Sequence, residues 1–261
     1  MAVANKYQGQ PIVFIAVNSG SNPKNVASYV REHEINWPVI ADADRSFEQQ
    51  AGVGVISLQN IWAARIITGD GKMIPANAND MAETAERAAA GAKWNVDPKE
   101  IPDTLRQAWF AVEFGNYPAA AATLKKNLKS GKAEVKAGAE MLNTYVQQQL
   151  QRQLDTAKNS LDQQKPWEAY KIYSAIPEGF KGYELPDDVA AQIKSLAADE
   201  DVKRELAAVK AMNSVQKVLA SSSASSQKRV ASMLKKLVED FPGTDAAKAA
   251  ESLLNQNIDL N

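Results

Sequence analysis

The chain contains no cysteine. That absence excludes disulfides, thiolate metal sites and a cysteine nucleophile on this chain. Only one histidine is present, His33. A lone histidine cannot build a multi-histidine metal centre, and no serine stands in a pattern that would make it part of a triad. Charge of one sign is also missing: 30 basic and 31 acidic side chains leave a net charge of −1. Residues 1–95 hold 8 basic and 9 acidic residues, and the remainder holds 22 of each. Neither part has the basic excess that drives binding to a phosphate backbone, so nucleic acid is not an expected partner. No apolar run approaches the roughly 18 residues that signal a membrane-spanning helix. Residues 1–10 lack the apolar core and cleavage pattern of a signal peptide. Composition therefore predicts no metal, no cofactor and no transmembrane segment, and it leaves the compartment open.

What is present begins with Ile12-Val-Phe-Ile-Ala-Val17, a continuous apolar run bounded by Pro11 and Asn18-Ser-Gly20. Such a run predicts a central strand buried on both faces. Asn22 is a good N-cap and Pro23 suits the first helical position, so a helix follows, with Val26, Tyr29 and Val30 on its packed face. Trp37-Pro-Val-Ile40 is the next strand, reached by a right-handed crossover. Asp42-Ala-Asp44 caps a short helix holding Phe47 and Ala51, with Asp44 as the capping residue and a cation site as the alternative. Gly52-Val-Gly-Val55 turns the chain back. Ile61 to Ile67 is strand-like, Gly69-Asp-Gly-Lys72 is a hairpin turn, and Lys72 to Ile74 pairs back antiparallel. Asn79 to Ala92 closes this part as a helix.

Beyond Trp94 the pattern turns helical. Helices are expected over Thr104–Phe114, Pro118–Lys129, Ala133–Gln164, Pro166–Ala175, Pro186–Ala198, Asp201–Ala220, Ser225–Phe241 and Thr244–Gln256. Breaks fall at Gly115-Asn116, Ser130-Gly131, Lys165-Pro166, Ile176-Pro-Glu-Gly179, Leu185-Pro186 and Phe241-Pro-Gly243. Ala220 to Ser226 is the most linker-like stretch. Trp109, Phe110, Phe114 and Tyr117 read as a helix-hairpin core, with a peptide groove as the alternative. The pairs Lys125-Lys126 and Lys235-Lys236 read as solvated faces, and His33 as a helix-end residue.

Three stretches in order resemble the redoxin or TlpA-like branch of the thioredoxin-like superfamily. They are Val13-Phe-Ile-Ala-Val-Asn18, then Tyr29 to His33 with Ile35-Asn-Trp-Pro-Val-Ile40 and Asp42, then Ile66-Ile-Thr-Gly-Asp-Gly-Lys72. The resemblance implies an α/β thioredoxin-like domain over 1–95, with a central sheet flanked by helices, lacking its first strand. The family's Cys-x-x-Cys would lie upstream of the chain as given. It also implies a binding groove whose cis-proline position falls here on Asn60, Ile61 and Trp62, since no proline stands between Pro38 and Pro75. A core position is the competing expectation for Trp62. Family members sit in the bacterial envelope, which is the location the resemblance implies.

Residues 96–261 are expected to form an all-α helical-hairpin domain. Gly115-Asn-Tyr117 with Ala120 and Leu124 resembles a tetratricopeptide unit. Lys165-Pro-Trp167-Glu-Ala169 with Tyr170 and Tyr173, and Phe241-Pro-Gly-Thr-Asp-Ala246, are looser matches. An irregular helical bundle is the alternative, because the spacing is not a regular repeat.

The functional expectation is a cysteine-free binding scaffold with no catalytic residue. It would take a protein partner through the helical domain or the thioredoxin groove. The alternatives are a thiol-disulfide oxidoreductase, or a peroxiredoxin-like antioxidant protein, whose cysteine segment lies upstream. An incomplete sheet would also leave an unpaired edge and an uncovered apolar face, so a homodimer is a further expectation unless the helical domain covers them.

Overall fold

The structure is a computed structural model that describes residues 2–7, 9–19, 21–35, 37–43, 45–53, 56, 60–68, 71–219 and 224–258. The chain divides into two compact units, Met1–Trp94 and Asn95–Asn261. Most of it is helical, and all of the strands lie in the first unit.

The first unit opens with α1 (Ala2–Lys6), β1 (Ala16–Ser19) and α2 (Pro23–Glu32). Asn22 caps α2 as its side chain accepts the Lys24 N–H at 2.9 Å. β2 (Val39–Asp42) then pairs parallel with β1, with Ala16 opposite Val39 and Ser19 opposite Asp42. After α3 (Ser46–Gln50) come β3 (Ala63–Ile67) and β4 (Met73–Asn77), an antiparallel pair in which Ile66 faces Ile74. A 3-10 turn leads into α4 (Met81–Ala89), which Asp80 caps by accepting the Glu83 N–H.

Several expectations for this unit need correction. Among the described residues the strands form two separate pairs, β1-β2 and β3-β4, in place of one central sheet. The run Ile12–Val17 is not a strand buried on both faces: only Ala16–Ser19 joins a ladder, and Ile15 and Val17 are 48 % and 39 % exposed. A strand is buried on both faces only where layers pack above and below it, and the face that Ile15 and Val17 share is left uncovered. In α2, Val26 is buried, Val30 is half-buried, and Tyr29 is exposed with its ring against His33, centroids 4.1 Å apart.

The strand expected from Ile61 starts at Ala63, because residues 60–62 form a turn closed by the Ala63 N–H on the Asn60 carbonyl. Its partner runs from Met73 to Asn77 and passes through Pro75. Thr68 N–H bonds to the Lys72 carbonyl, and the ladder alternates from there. Pro75 therefore falls where its missing N–H would have faced away from β3, which is where a strand tolerates proline. Asp42 caps α3, accepting N–H bonds from Phe47 at 3.1 Å and Glu48 at 2.9 Å. Asp44, Gly54, Val55, Gly69 and Asp70 lie outside the described residues.

The second unit is all-α. Asp103–Leu105 forms a 3-10 turn where a helix from Thr104 was expected, and it leads into α5 (Arg106–Glu113). Next come α6 (Tyr117–Asn127), α7 (Ala133–Asp162), α8 (Pro166–Gly179), α9 (Asp188–Ala197), α10 (Glu200–Leu219), α11 (Ala224–Asp240) and α12 (Asp245–Ile258). Prolines at the first turn start α6 and α8, and Thr244 Oγ1 caps α12 by accepting the Ala247 N–H. α11 is already helical at Ala224, within the stretch expected as linker; residues 220–223 lie outside the described residues.

One expected break is overridden. α8 runs through Pro177 to Gly179 and closes with the Phe180 N–H on the Ile176 carbonyl at 2.9 Å. Ile176 and Phe180 are both fully buried, and their burial holds a last turn that propensity alone would break.

Burial follows helical spacing along α7, where Val135, Ala139, Leu142, Val146, Leu150, Leu154 and Ala157 share one face. α7 pairs with α8, and α10, α11 and α12 close a second apolar cluster around Val215, Leu234, Leu237 and Ala247.

Candidate functional site

The turn at Asn60, Ile61 and Trp62 is the site the sequence singles out, and its frame can be built upward from α3. Asp42 holds the start of that helix. Glu48, itself buried, accepts the Ile56 N–H at 2.7 Å and the Arg45 guanidinium at 3.3 Å. Arg65, on β3, then clamps the far end of α3. Its Nε donates to the Ala51 carbonyl and its Nη2 to the Gly52 carbonyl, both at 2.9 Å, while Nη1 donates to the Ala64 carbonyl at 2.8 Å. A guanidinium suits this task because its donors fan out in one plane and can meet several carbonyls at once. Asn60 Nδ2 donates to the Val53 carbonyl at 3.4 Å, and the Asn60 carbonyl accepts from Ala63 at 2.9 Å.

On this frame the two following side chains point outward. Ile61 is 54 % exposed and Trp62 is 65 % exposed, so Trp62 is not a core residue. The turn offers apolar contact area on a hydrogen-bonded base and no nucleophile. His33 is exposed at the C-cap of α2. Among the described residues no group of three or more His, Asp or Glu converges as a metal site, and no helix is long and apolar enough to cross a membrane.

The helical unit has two further features. On α5, Trp109 is buried and donates its Nε1–H to the Val96 carbonyl at 2.9 Å. Phe110 and Phe114 are not core: they are 40 % and 47 % exposed, with ring centroids 4.7 Å apart. One helical turn separates them, so they form a small continuous aromatic surface. Lys125, Lys126, Lys235 and Lys236 are exposed, on solvated faces.

The second feature is an open groove of about 400 Å3 lined by residues of α8, α10 and the start of α12, including Trp167, Arg204, Glu205 and Asp245. Asp245 Oδ2 accepts from Trp167 Nε1 at 2.9 Å and from Lys171 Nζ at 3.1 Å. The Glu205 carboxylate accepts the Asp245 N–H, and Arg204 donates to the Pro242 carbonyl at 2.6 Å. The Lys171 hydrogen bond holds the Asp245 carboxyl below its usual range, and Trp167 adds to this. Burial pushes Glu205 up, and the nearby Asp245 charge adds to that. The polar groups named here hydrogen-bond between elements, so the groove is a junction of α8, α10 and the start of α12. The sequence singles out the Trp167 and Asp245 stretches separately, as loose repeat-like matches, and nothing local shows that they meet, since they stand far apart in the chain.

Comparison with protein-family models, curated proteins and solved structures finds no match.

Proposed function

We propose that this chain is a thioredoxin-like protein without redox cysteines that serves as a protein-binding scaffold. The order strand, helix, strand, short helix, strand pair, helix over residues 16–89 supports the thioredoxin-like part of this reading. It is the order expected for the later part of a redoxin domain. The single observation that carries the binding part is the exposure of Ile61 and Trp62 on a turn held by the hydrogen bonds of Asn60. Leaving one large apolar side chain in water forgoes about 1.5–3 kcal/mol of burial. Tryptophan is also among the side chains enriched at the energetic centres of protein interfaces. Helix pairs α5–α6 and α7–α8 then act as repeat-like hairpins, and Phe110 with Phe114 gives the helical unit its own contact surface.

The test places a photoreactive benzoylphenylalanine at position 62 of the full chain, in cells of the source organism. A discrete protein adduct is expected there, and none from the same probe at the exposed Lys24 on α2. Equal labelling at the two positions, or none at 62, overturns the reading. The purified chain is expected to show no insulin disulfide reduction above background, since exchange requires a thiolate.

A further inference from the structure

The two strand pairs of the first unit have four outer edges, and an edge presents unpaired backbone groups to any strand that can match them. The four differ in what they would tolerate. On β1, the Ala16 N–H bonds to the Pro38 carbonyl, so Ala16 and Asn18 turn their amides toward β2. By alternation Val17 and Ser19 turn theirs outward. Among the described residues, no hydrogen bond reaches those outward groups. Ile15 and Val17 lie on one face of the strand, and both are exposed. From Ile12 to Ser19 there is no charge and no proline.

We infer that the outer edge of β1 pairs with the same edge of a second copy of this chain, antiparallel across a two-fold axis centred on Val17. Self-pairing has a charge requirement, because each side chain meets its own kind across the axis and like charges placed opposite destabilise a sheet. β1 carries no charge and no capping duty. β2 runs straight into the start of α3, which its buried Asp42 caps, β3 carries Arg65 at its middle, and β4 lacks an outward N–H at Pro75. A short uncharged, β-rich segment without proline is also the composition that pairs with itself. Joining two copies would turn each two-stranded pair into half of a four-stranded sheet, and an isolated two-stranded pair is marginal in water. This dimer is independent of the binding role proposed for Trp62.

Sedimentation velocity of the full chain, from nanomolar to high micromolar concentration, tests the inference. The unaltered chain is expected to pass from monomer to dimer. Val17→Lys and Val17→Asp should each remain monomeric across the range, since each sets like charges across the axis. An equimolar mixture of the two variants should regain the dimer, which a merely unfolded variant could not do. Ile67→Lys, at a still more exposed position on β3, should dimerise like the unaltered chain. A chain that stays monomeric throughout overturns the inference, as does a Val17→Lys dimer or a mixture that fails to associate. A monomer that instead binds a synthetic extended apolar peptide would assign the edge to a partner's strand and would also overturn it.

Discussion

Tyr117 lies stacked on Phe180, ring centroids 5.0 Å apart and planes 20° from parallel. The carbonyl of the same Tyr117 accepts the Tyr183 hydroxyl at 3.2 Å. The start of α6 and the end of α8 are therefore joined by one ring contact and one hydrogen bond. Burial pushes both phenols up, to about 12 for Tyr117 and about 12 for Tyr183, so both stay neutral at ordinary pH. Phe180→Ala is expected to destabilise the helical unit by about 3–5 kcal/mol, because it removes a fully buried ring. Tyr183→Phe should cost only about 0.5–1.5 kcal/mol, the net worth of one hydrogen bond. Chemical denaturation of the two variants checks the ranking.

Gly138 sits in the interior of α7, where alanine would ordinarily be favoured by about 0.5–1 kcal/mol. Here a Cβ would stand 2.8 Å from Pro102 Cδ and 3.2 Å from Leu105 Cδ1. The contact with a proline ring cannot be relieved by a rotamer change. Gly138→Ala is therefore expected to destabilise, by about 1–3 kcal/mol, against the propensity trend. An equal or higher melting temperature would show that the packing gives way.

Arg65→Lys keeps the charge but loses the fan of donors that reaches Ala51, Gly52 and Ala64. One ammonium on a flexible stem cannot meet three carbonyls spread along two segments. A loss of about 1–3 kcal/mol is expected in the first unit. Amide hydrogen exchange should show faster exchange around residues 51–53 and 60–65, with the helical unit unchanged.

Asp245→Asn addresses the groove at the start of α12. The folded-state pKa of Asp245 is lowered, so its charge contributes stability above its ordinary pKa of 3.8 and loses it as pH falls through the lower folded value. The gap between the unaltered chain and Asp245→Asn should be steady near neutral pH and close below the ordinary carboxylate range. Its size should be under about 1 kcal/mol, because Lys171 and Asp245 are 40 % and 47 % exposed and solvent screens the pair. Thermal melts across that pH range provide the measurement.

The helical unit was legible in the sequence wherever local chemistry decides. Gly115-Asn116, Ser130-Gly131 and Phe241-Pro-Gly243 interrupt helices because glycine and proline act within one turn. The expected break at Pro177 fails because buried Ile176 and Phe180 outweigh it, and their burial depends on distant residues. The same distinction applies in the first unit. Asn22 and Pro23 mark the start of α2 by purely local means. How much of Ile12–Val17 joins a sheet depends on which strands lie beside it, and no local pattern contains that. Composition also leaves sidedness open: Phe110 and Phe114 look like core beside Trp109, and only the packing of α5 shows which rings face water. Asn60 to Trp62 was found as a position in the chain, but the exposure of Trp62 depends on how the turn packs, which no local pattern contains.

Pro75 carries a consequence for how far association can proceed. A sheet that could add strands at both ends would grow without limit, as fibrils do. With proline in β4 and Arg65 at the middle of β3, self-pairing is opposed at both edges of the second strand pair. Under the pairing proposed for β1, association would not be extended further through the second strand pair. The residues that make those two edges poor templates would help keep an exposed apolar strand from seeding an open-ended aggregate.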